Sequence, residues 1–229
     1  SASKIKYYVN GQLSEEITGS NFGDNNSWMN GYKSRIGCRN NAWASGTPNV
    51  EFFKGYMADI YFVDGQALLP TDFGYYDTGT KQWKPKAYAG TYGANGFYLP
   101  MRVGQYTQDE TAKQLTFAGN SMVSGFKPQT NMEFGSFKFD GSGDTIYTAN
   151  NYDDVNLIKL PTSGNKSWTL ESWIYHTSTS GLQNYFSHGT LSTTSSWQLQ
   201  LNSSKIMFYW INSGWGWDYY YATPVISVN

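Results

Sequence analysis

Glu171 is the carboxylate that a hydrolytic role would call on first. It stands in the alternating run Trp168–Tyr175. Retaining glycoside hydrolysis needs a second acid about 5–5.5 Å from the first. Glu171 is followed by Ser172, Trp173, Ile174, Tyr175 and His176, none of them acidic. The expected role is therefore a strand carboxylate in a protein that binds and is not an enzyme, with no catalytic residue assigned. His176 and His188 are the only histidines and Cys38 is the only cysteine. No Gly-x-Ser-x-Gly motif accompanies the histidines, and Cys38 has no histidine near it in sequence. Both histidines are expected on the surface or in turns.

The binding candidates are aromatic. Tyr209, Trp210, Trp215, Trp217, Tyr219, Tyr220 and Tyr221 crowd one short stretch, and Ser213-Gly214 and Gly216 leave its loop free to turn tryptophans outward. Trp and Tyr stack on the apolar faces of sugars and dominate protein interface hot spots. Trp215, Trp217, Tyr219 and Tyr221 are the expected glycan or partner contacts, whereas Phe208 and Trp210 alternate with Tyr209 and Ile211 and are read as core. Asp140, Asp144, Asp153 and Asp154 are oxygen donors of the kind calcium takes. Asp beside Gly is also the ordinary chemistry of a turn. Calcium at Asp140 and Asp144 is therefore carried beside a purely turn-forming role, and no other cofactor is expected.

The elements that must position these groups are strands. Helical periodicity is almost absent, and period-2 runs bounded by turn dipeptides recur. Lys4–Val9 leads into Asn10-Gly11, a hairpin signal repeated at Asn30-Gly31. Arg35–Arg39 reads as short and extended. Phe52–Val63 ends at Asp64-Gly65, with Ala58, Ile60 and Phe62 on one face and Met57, Asp59, Tyr61 and Val63 on the other. Ser136–Phe139 enters the turn Asp140–Gly143, and Asp144–Thr148 returns. Trp168, Leu170, Ser172 and Ile174 alternate with Thr169, Glu171, Trp173 and Tyr175. Trp197–Leu201 and Lys205–Ile211 form a hairpin, with Trp197, Leu199 and Leu201 on one face and Gln198 and Gln200 on the other. That is the half-buried pattern of a two-layer antiparallel sandwich. Tyr219–Val228 is a last extended stretch.

Composition narrows the partners. Charged residues are 14% of the 229, the net charge is −1, and no Lys/Arg cluster appears. A nucleic-acid footprint is missing. No apolar run reaches the length of a membrane span. A single cysteine cannot form an internal disulfide, which suits folding in a reducing cytosol. Pro70, Pro85, Pro100 and Pro128 interrupt the middle of the chain. Residues 78–133 are read as a connector with a few short strands.

Two stretches resemble one family. Tyr7-Tyr8-Val9-Asn10-Gly11, Ile36-Gly37 and the run Gly55–Leu68 are similar to the late strands of a concanavalin A-like, laminin-G-type jelly roll. Pro70–Gly74 and Trp83–Lys86 resemble the version found in marine bacteriophage tail and virion proteins. Phe137–Asp144, Trp168–Tyr175 and Ile206–Tyr209 resemble the early strands of a second such domain. The resemblance implies an all-β, antiparallel jelly-roll sandwich. It divides the chain into the C-terminal half of one sandwich (1–77), the connector (78–133) and the N-terminal half of another (134–229), an internal piece of a longer protein. The first and last strands of a jelly roll are neighbours, so Phe53–Val63 pairing with Phe137–Thr148 would instead close both halves as one permuted sandwich. The implied function is a virion structural or adhesion protein, such as a tail fibre, spike or capsid appendage. It would fold in the host cytoplasm, act at the virion surface as a homo-oligomer, and bind host-surface glycan or neighbouring virion proteins. A secreted or cell-surface carbohydrate-binding module is the alternative. The glucanase branch of the fold resembles Glu-x-Asp-x-x-Glu on one strand, a pattern Glu171 lacks, which puts a glycosidase third.

Overall fold

The computed structural model of the chain describes residues 3–19, 34–39, 50–101, 115–119, 122–128, 132, 135–148, 167–188, 197–211 and 217–221. Strand-forming residues between turn dipeptides give sixteen strands among them and no α-helix. In chain order these are β1 (Ser3–Val9), β2 (Gln12–Gly19), β3 (Ser34–Ile36), β4 (Lys54–Asp64), β5 (Gly74–Asp77), β6 (Gln82–Pro85), β7 (Phe97–Leu99) and β8 (Leu115–Ala118). They continue with β9 (Met122–Ser124), β10 (Ser136–Asp140), β11 (Thr145–Thr148), β12 (Trp168–His176), β13 (Gln183–His188), β14 (Trp197–Asn202), β15 (Lys205–Ile211) and β16 (Trp217–Tyr221). No helix among the described residues is long and apolar enough to cross a membrane.

Every strand pairing is antiparallel. A seven-stranded sheet runs β16-β15-β14-β13-β3-β11-β8, and a five-stranded sheet runs β12-β4-β10-β9 with β7 also on β4. Two hairpins, β1–β2 and β5–β6, complete the set. Asn10 (φ 50°) and Gly11 (φ 77°) close the first hairpin with two positive φ values, as a two-residue primed turn requires. Ser203 (φ 49°) and Ser204 (φ 62°) do the same between β14 and β15. The Asn30-Gly31 turn and the stretch 222–228 lie outside the described residues.

The two main sheets share one core. Met57, Ile60, Phe62, Phe97, Phe137 and Phe139 from the five-stranded sheet meet Ile36, Ile146, Phe186, Trp197, Leu201 and Phe208 from the seven-stranded one. The architecture is all-β and sandwich-like. Phe137 stands opposite Met57 and Phe139 opposite Gly55, so β4 and β10, from either side of the stretch 78–133, are hydrogen-bonded neighbours. The stretch 78–133 supplies β7 to β4, β8 to β11 and β9 to β10.

Asp140–Gly143 does not close a hairpin. β10 lies in the five-stranded sheet and β11 in the seven-stranded one, so the turn is a corner between sheets. Gly141 (φ 91°) and Gly143 (φ 79°) supply its left-handed backbone. The Asp144 carboxylate fixes it by accepting the Asp140 N–H at 2.6 Å.

The face assigned to Met57 also needs correcting. Between β12 and β4 the register jumps: Glu171 faces Tyr61, but Trp173 faces Ala58. Asp59 and Ile60 therefore stand against Ser172 alone, and Asp59 adopts φ 46°. One extra residue makes a β-bulge and resets the alternation. Met57 joins Ile60 and Phe62 in the core, while Tyr61 and Val63 face a second apolar cluster with Phe73.

Gly37 marks the tightest seam between the sheets. It has φ 87°, and a Cβ there would overlap the Phe139 ring. Gly37→Ala adds overpacking to a disfavoured backbone conformation and is expected to cost at least about 2 kcal/mol. Thermal denaturation would show this as a fall of roughly 5 °C or more.

Candidate functional site

β14 sends Trp197, Leu199 and Leu201 to the core and leaves Gln198 and Gln200 on the opposite side. β13 does the same through a bulge between Asn184 and Phe186, which gives Tyr185 and Phe186 to the core and keeps Asn184 beside Gln200. Two cross-strand rows result. One runs Arg35–Ser187–Gln198–Tyr209–Tyr219, and the other Asn184–Gln200–Met207–Tyr221. With strands about 4.8 Å apart, the longer row extends roughly 19 Å.

The β13 and β14 positions of these rows are polar yet closed to solvent. Gln198, Asn184 and Ser187 are each 0% exposed. Ser187 donates to the Cys38 carbonyl at 2.8 Å. The Asn184 amide donates to Glu51 Oε2 at 2.7 Å, and Glu51 Oε1 takes Arg39 Nη2 at 2.7 Å. The Arg35 guanidinium lies 4.2 Å over the Tyr147 ring. Several groups stay unmet among the described residues: both amide atoms of Gln198, Asn184 Oδ1, Arg39 Nε and Nη1, and Arg35 Nε. A buried polar atom without a partner costs about 1–3 kcal/mol.

A second cluster sits on the outer side of the five-stranded sheet. Tyr61 and Tyr98 stack at 4.2 Å, Tyr92 and Phe73 pack against Tyr61, and Tyr88 packs on Phe73. Tyr98 donates its hydroxyl to Asp59 Oδ1 at 2.7 Å. Glu171, across from Tyr61, has Oε2 buried with no partner among the described residues. Burial first, and the Asp59 charge second, push the Glu171 carboxyl well above the usual carboxylate range. Glu171 thus has an acidic neighbour that its own strand does not supply. Tyr56, Tyr175 and Phe126 form an aromatic group further along the sheet.

The sequence-based candidates fall as follows. Trp215 lies outside the described residues, as do Asp153 and Asp154. Trp217, Tyr219 and Tyr221 are strand positions of β16, paired with Ile211, Tyr209 and Met207, so Tyr219 and Tyr221 end the two polar rows. Asp140 Oδ1 accepts the Ser142 N–H at 2.6 Å, and Asp144 is buried with its Oδ2 on Asp140 N–H. Both carboxylates thus serve the corner turn. No group of three or more metal-ligating side chains occurs among the described residues. The histidines are buried, against expectation. His176 Nε2 lies 2.9 Å from the Tyr185 hydroxyl, and His188 Nδ1 lies 3.1 Å from Ser34 Oγ. Burial lowers the His176 pKa and pushes the Cys38 thiol up to about 11, away from nucleophile behaviour.

Sequence reasoning missed Asp59, Arg35, Arg39 and Asn184. An acid inside the apolar run Gly55–Val63 was the available signal for Asp59. For the arginines and Asn184 none existed, because the rows form only when β3, β13 and β14 pair. No family model matches the chain, and neither a curated protein nor a solved structure matches it.

Proposed function

We propose that the chain is a lectin-like adhesion protein of the jelly-roll type that binds host-surface glycan at the β16 end of its seven-stranded sheet. The observation that carries this reading is the position of β16, which brings Trp217, Tyr219 and Tyr221 to the last strand of the seven-stranded sheet. Aromatic side chains on such a strand would stack on sugar rings. Placement on a virion rests on the resemblance of Pro70–Gly74 and Trp83–Lys86 to phage tail and virion proteins. A secreted carbohydrate-binding module would use the same strand.

A glycan array tests the reading. Wild-type protein is expected to retain a defined set of glycans, and Trp217→Ala and Tyr219→Ala are each expected to lose at least tenfold in signal while the melting temperature stays within a few degrees. An array without any retained glycan overturns the proposal and leaves a neighbouring virion protein as the partner to seek. A glycosidase is the second reading, favoured by the coupled acids Asp59 and Glu171 beside Tyr98. Release of reducing ends from a β-glucan, abolished by Glu171→Gln, would raise it above the first.

A further inference from the structure

We infer that β12 is an interface strand that pairs antiparallel with β12 of a second copy of this chain, about a two-fold axis through Ser172. β12 and β16 belong to different sheets, so this contact is independent of the proposed glycan site.

β12 is the long edge of the five-stranded sheet. It pairs with β4 along its full length, from Trp168 opposite Asp64 to His176 opposite Gly55, and with no other strand among the described residues. Among those residues, the other strands that end the two main sheets are short: β9 has three residues, β8 four and β16 five, against nine in β12. A sheet edge offers backbone N–H and C=O groups to any strand that reaches it, and edges are ordinarily guarded by short length, lysine or proline. β12 has none of these guards. It holds no Lys and no Pro, and Glu171 is its only acid. The bulge beside Ser172 puts its extra residue in β4, on the inner side, so β12 itself runs uninterrupted.

Burial agrees with an uncovered edge. Trp168, Leu170 and Ile174 pack against the shared core yet stay half-buried, whereas Met57, Ile60 and Phe62 of neighbouring β4 are each 0% exposed. Apolar surface left at this edge is surface that another strand would remove from water.

The strand's own pattern makes a second copy fit. Residues opposite each other in an antiparallel pair lie on the same face of the sheet and interact directly. With Ser172 opposite its own copy, the two strands overlap over their whole length. Leu170 then faces Ile174, and Glu171 faces Trp173. The Leu170–Ile174 pairs continue the core face across the contact. The two Glu171 side chains are kept apart, whereas an axis through Glu171 would set them opposite each other, a destabilising arrangement for like charges. Each surface is used once by each copy, so the contact closes at a dimer.

Sedimentation of the whole chain is the first test. The expected result is a species of twice the 25.8 kDa chain mass. The expected dissociation constant is about 10 μM or tighter. Cross-linking then tests the register. Facing Cα atoms of antiparallel strands are about 4.5–5.5 Å apart, within disulfide range. Copper–phenanthroline is therefore expected to link most Ser172→Cys protein into a covalent dimer that reductant releases. Thr177→Cys, exposed just beyond the strand, is expected to stay unlinked. Its copy would lie ten residues along the pairing, roughly 33 Å away. Cys38 is 0% exposed, and wild-type protein gives its background. A chain that stays monomeric at about 100 μM overturns the inference and leaves the edge to another protein or to another part of this chain. A dimer in which Ser172→Cys links no faster than Thr177→Cys overturns it as well.

Discussion

At pH 8 the Glu171→Gln variant is expected to melt above the wild-type protein, and the gap is expected to close as the pH falls toward 4. Glu171 Oε2 is buried with no partner among the described residues, Tyr61 stands opposite it, and Asp59 is the charge that acts on it. Burial and the Asp59 charge both favour the protonated acid. The sign follows from linkage. An unfolded glutamate titrates near 4.3, and the folded group titrates higher, so the folded state binds the proton more tightly. Stability is then greatest at low pH and falls as pH rises from the unfolded value toward the folded one. Glutamine keeps the shape without the charge, and so escapes that fall. A difference of about 1 kcal/mol would appear as roughly 2–4 °C. Calorimetric scans from pH 4 to pH 8 decide it. A wild type that gains stability over the variant with rising pH would mean an ionised, well-partnered carboxylate. A carboxyl that keeps its proton at neutral pH is also what a general acid requires, so the same scans weigh on the hydrolase reading.

What could be read from the sequence was local. Asn10-Gly11 announced the β1–β2 hairpin, and the alternation of Trp197 through Leu201 announced both the core face of β14 and the opposite position of Gln198 and Gln200. The failures are non-local. Asp140–Gly143 carries the signal of a tight turn whether the next strand returns to the same sheet or crosses to the other, and only the packing of Phe139 and Ile146 into a shared core decides between them. Glu171 was read as solitary because its acidic neighbour lies on β4, more than a hundred residues earlier. The alternation of Trp197–Leu201 is that of a half-buried strand, with Gln198 and Gln200 on the face away from the core, yet both are closed off. His188 was expected outside, yet its i+2 spacing from Phe186 places it on the core side beside Ser34. Local patterning settled which residues share a face. Which faces are covered, and by what, depended on contacts between distant strands.

Deleting Asp59 is expected to damage the fold more than replacing it. Asp59 is the extra residue that lets β4 satisfy different neighbours at its two ends. Ahead of the bulge Met57 is buried opposite Phe137, and beyond it Ile60 and Phe62 are buried opposite Leu99 and Phe97. Without the bulge, one of these sets must turn outward or slip along its partners. Turning the first set removes Met57 from the core, worth about 1.5–3 kcal/mol by itself. It also moves a side chain into the place of Gly55, where a Cβ would overlap the Tyr175 carbonyl and press on the Phe53 ring. Turning the second set exposes Ile60 and Phe62, which costs more. The deletion is therefore expected to lower the melting temperature by roughly 10 °C or more, or to abolish cooperative unfolding. Asp59→Gly keeps the residue count and suits φ 46°, at the loss of the hydrogen bond from Tyr98. It also removes the charge that helps to hold Glu171 protonated. The substitution is expected to melt within a few degrees of wild type and to show less pH dependence from Glu171. A deletion that melts like wild type would show that the register of β4 is set elsewhere. If deletion and substitution are equally damaging, the carboxylate matters more than the bulge.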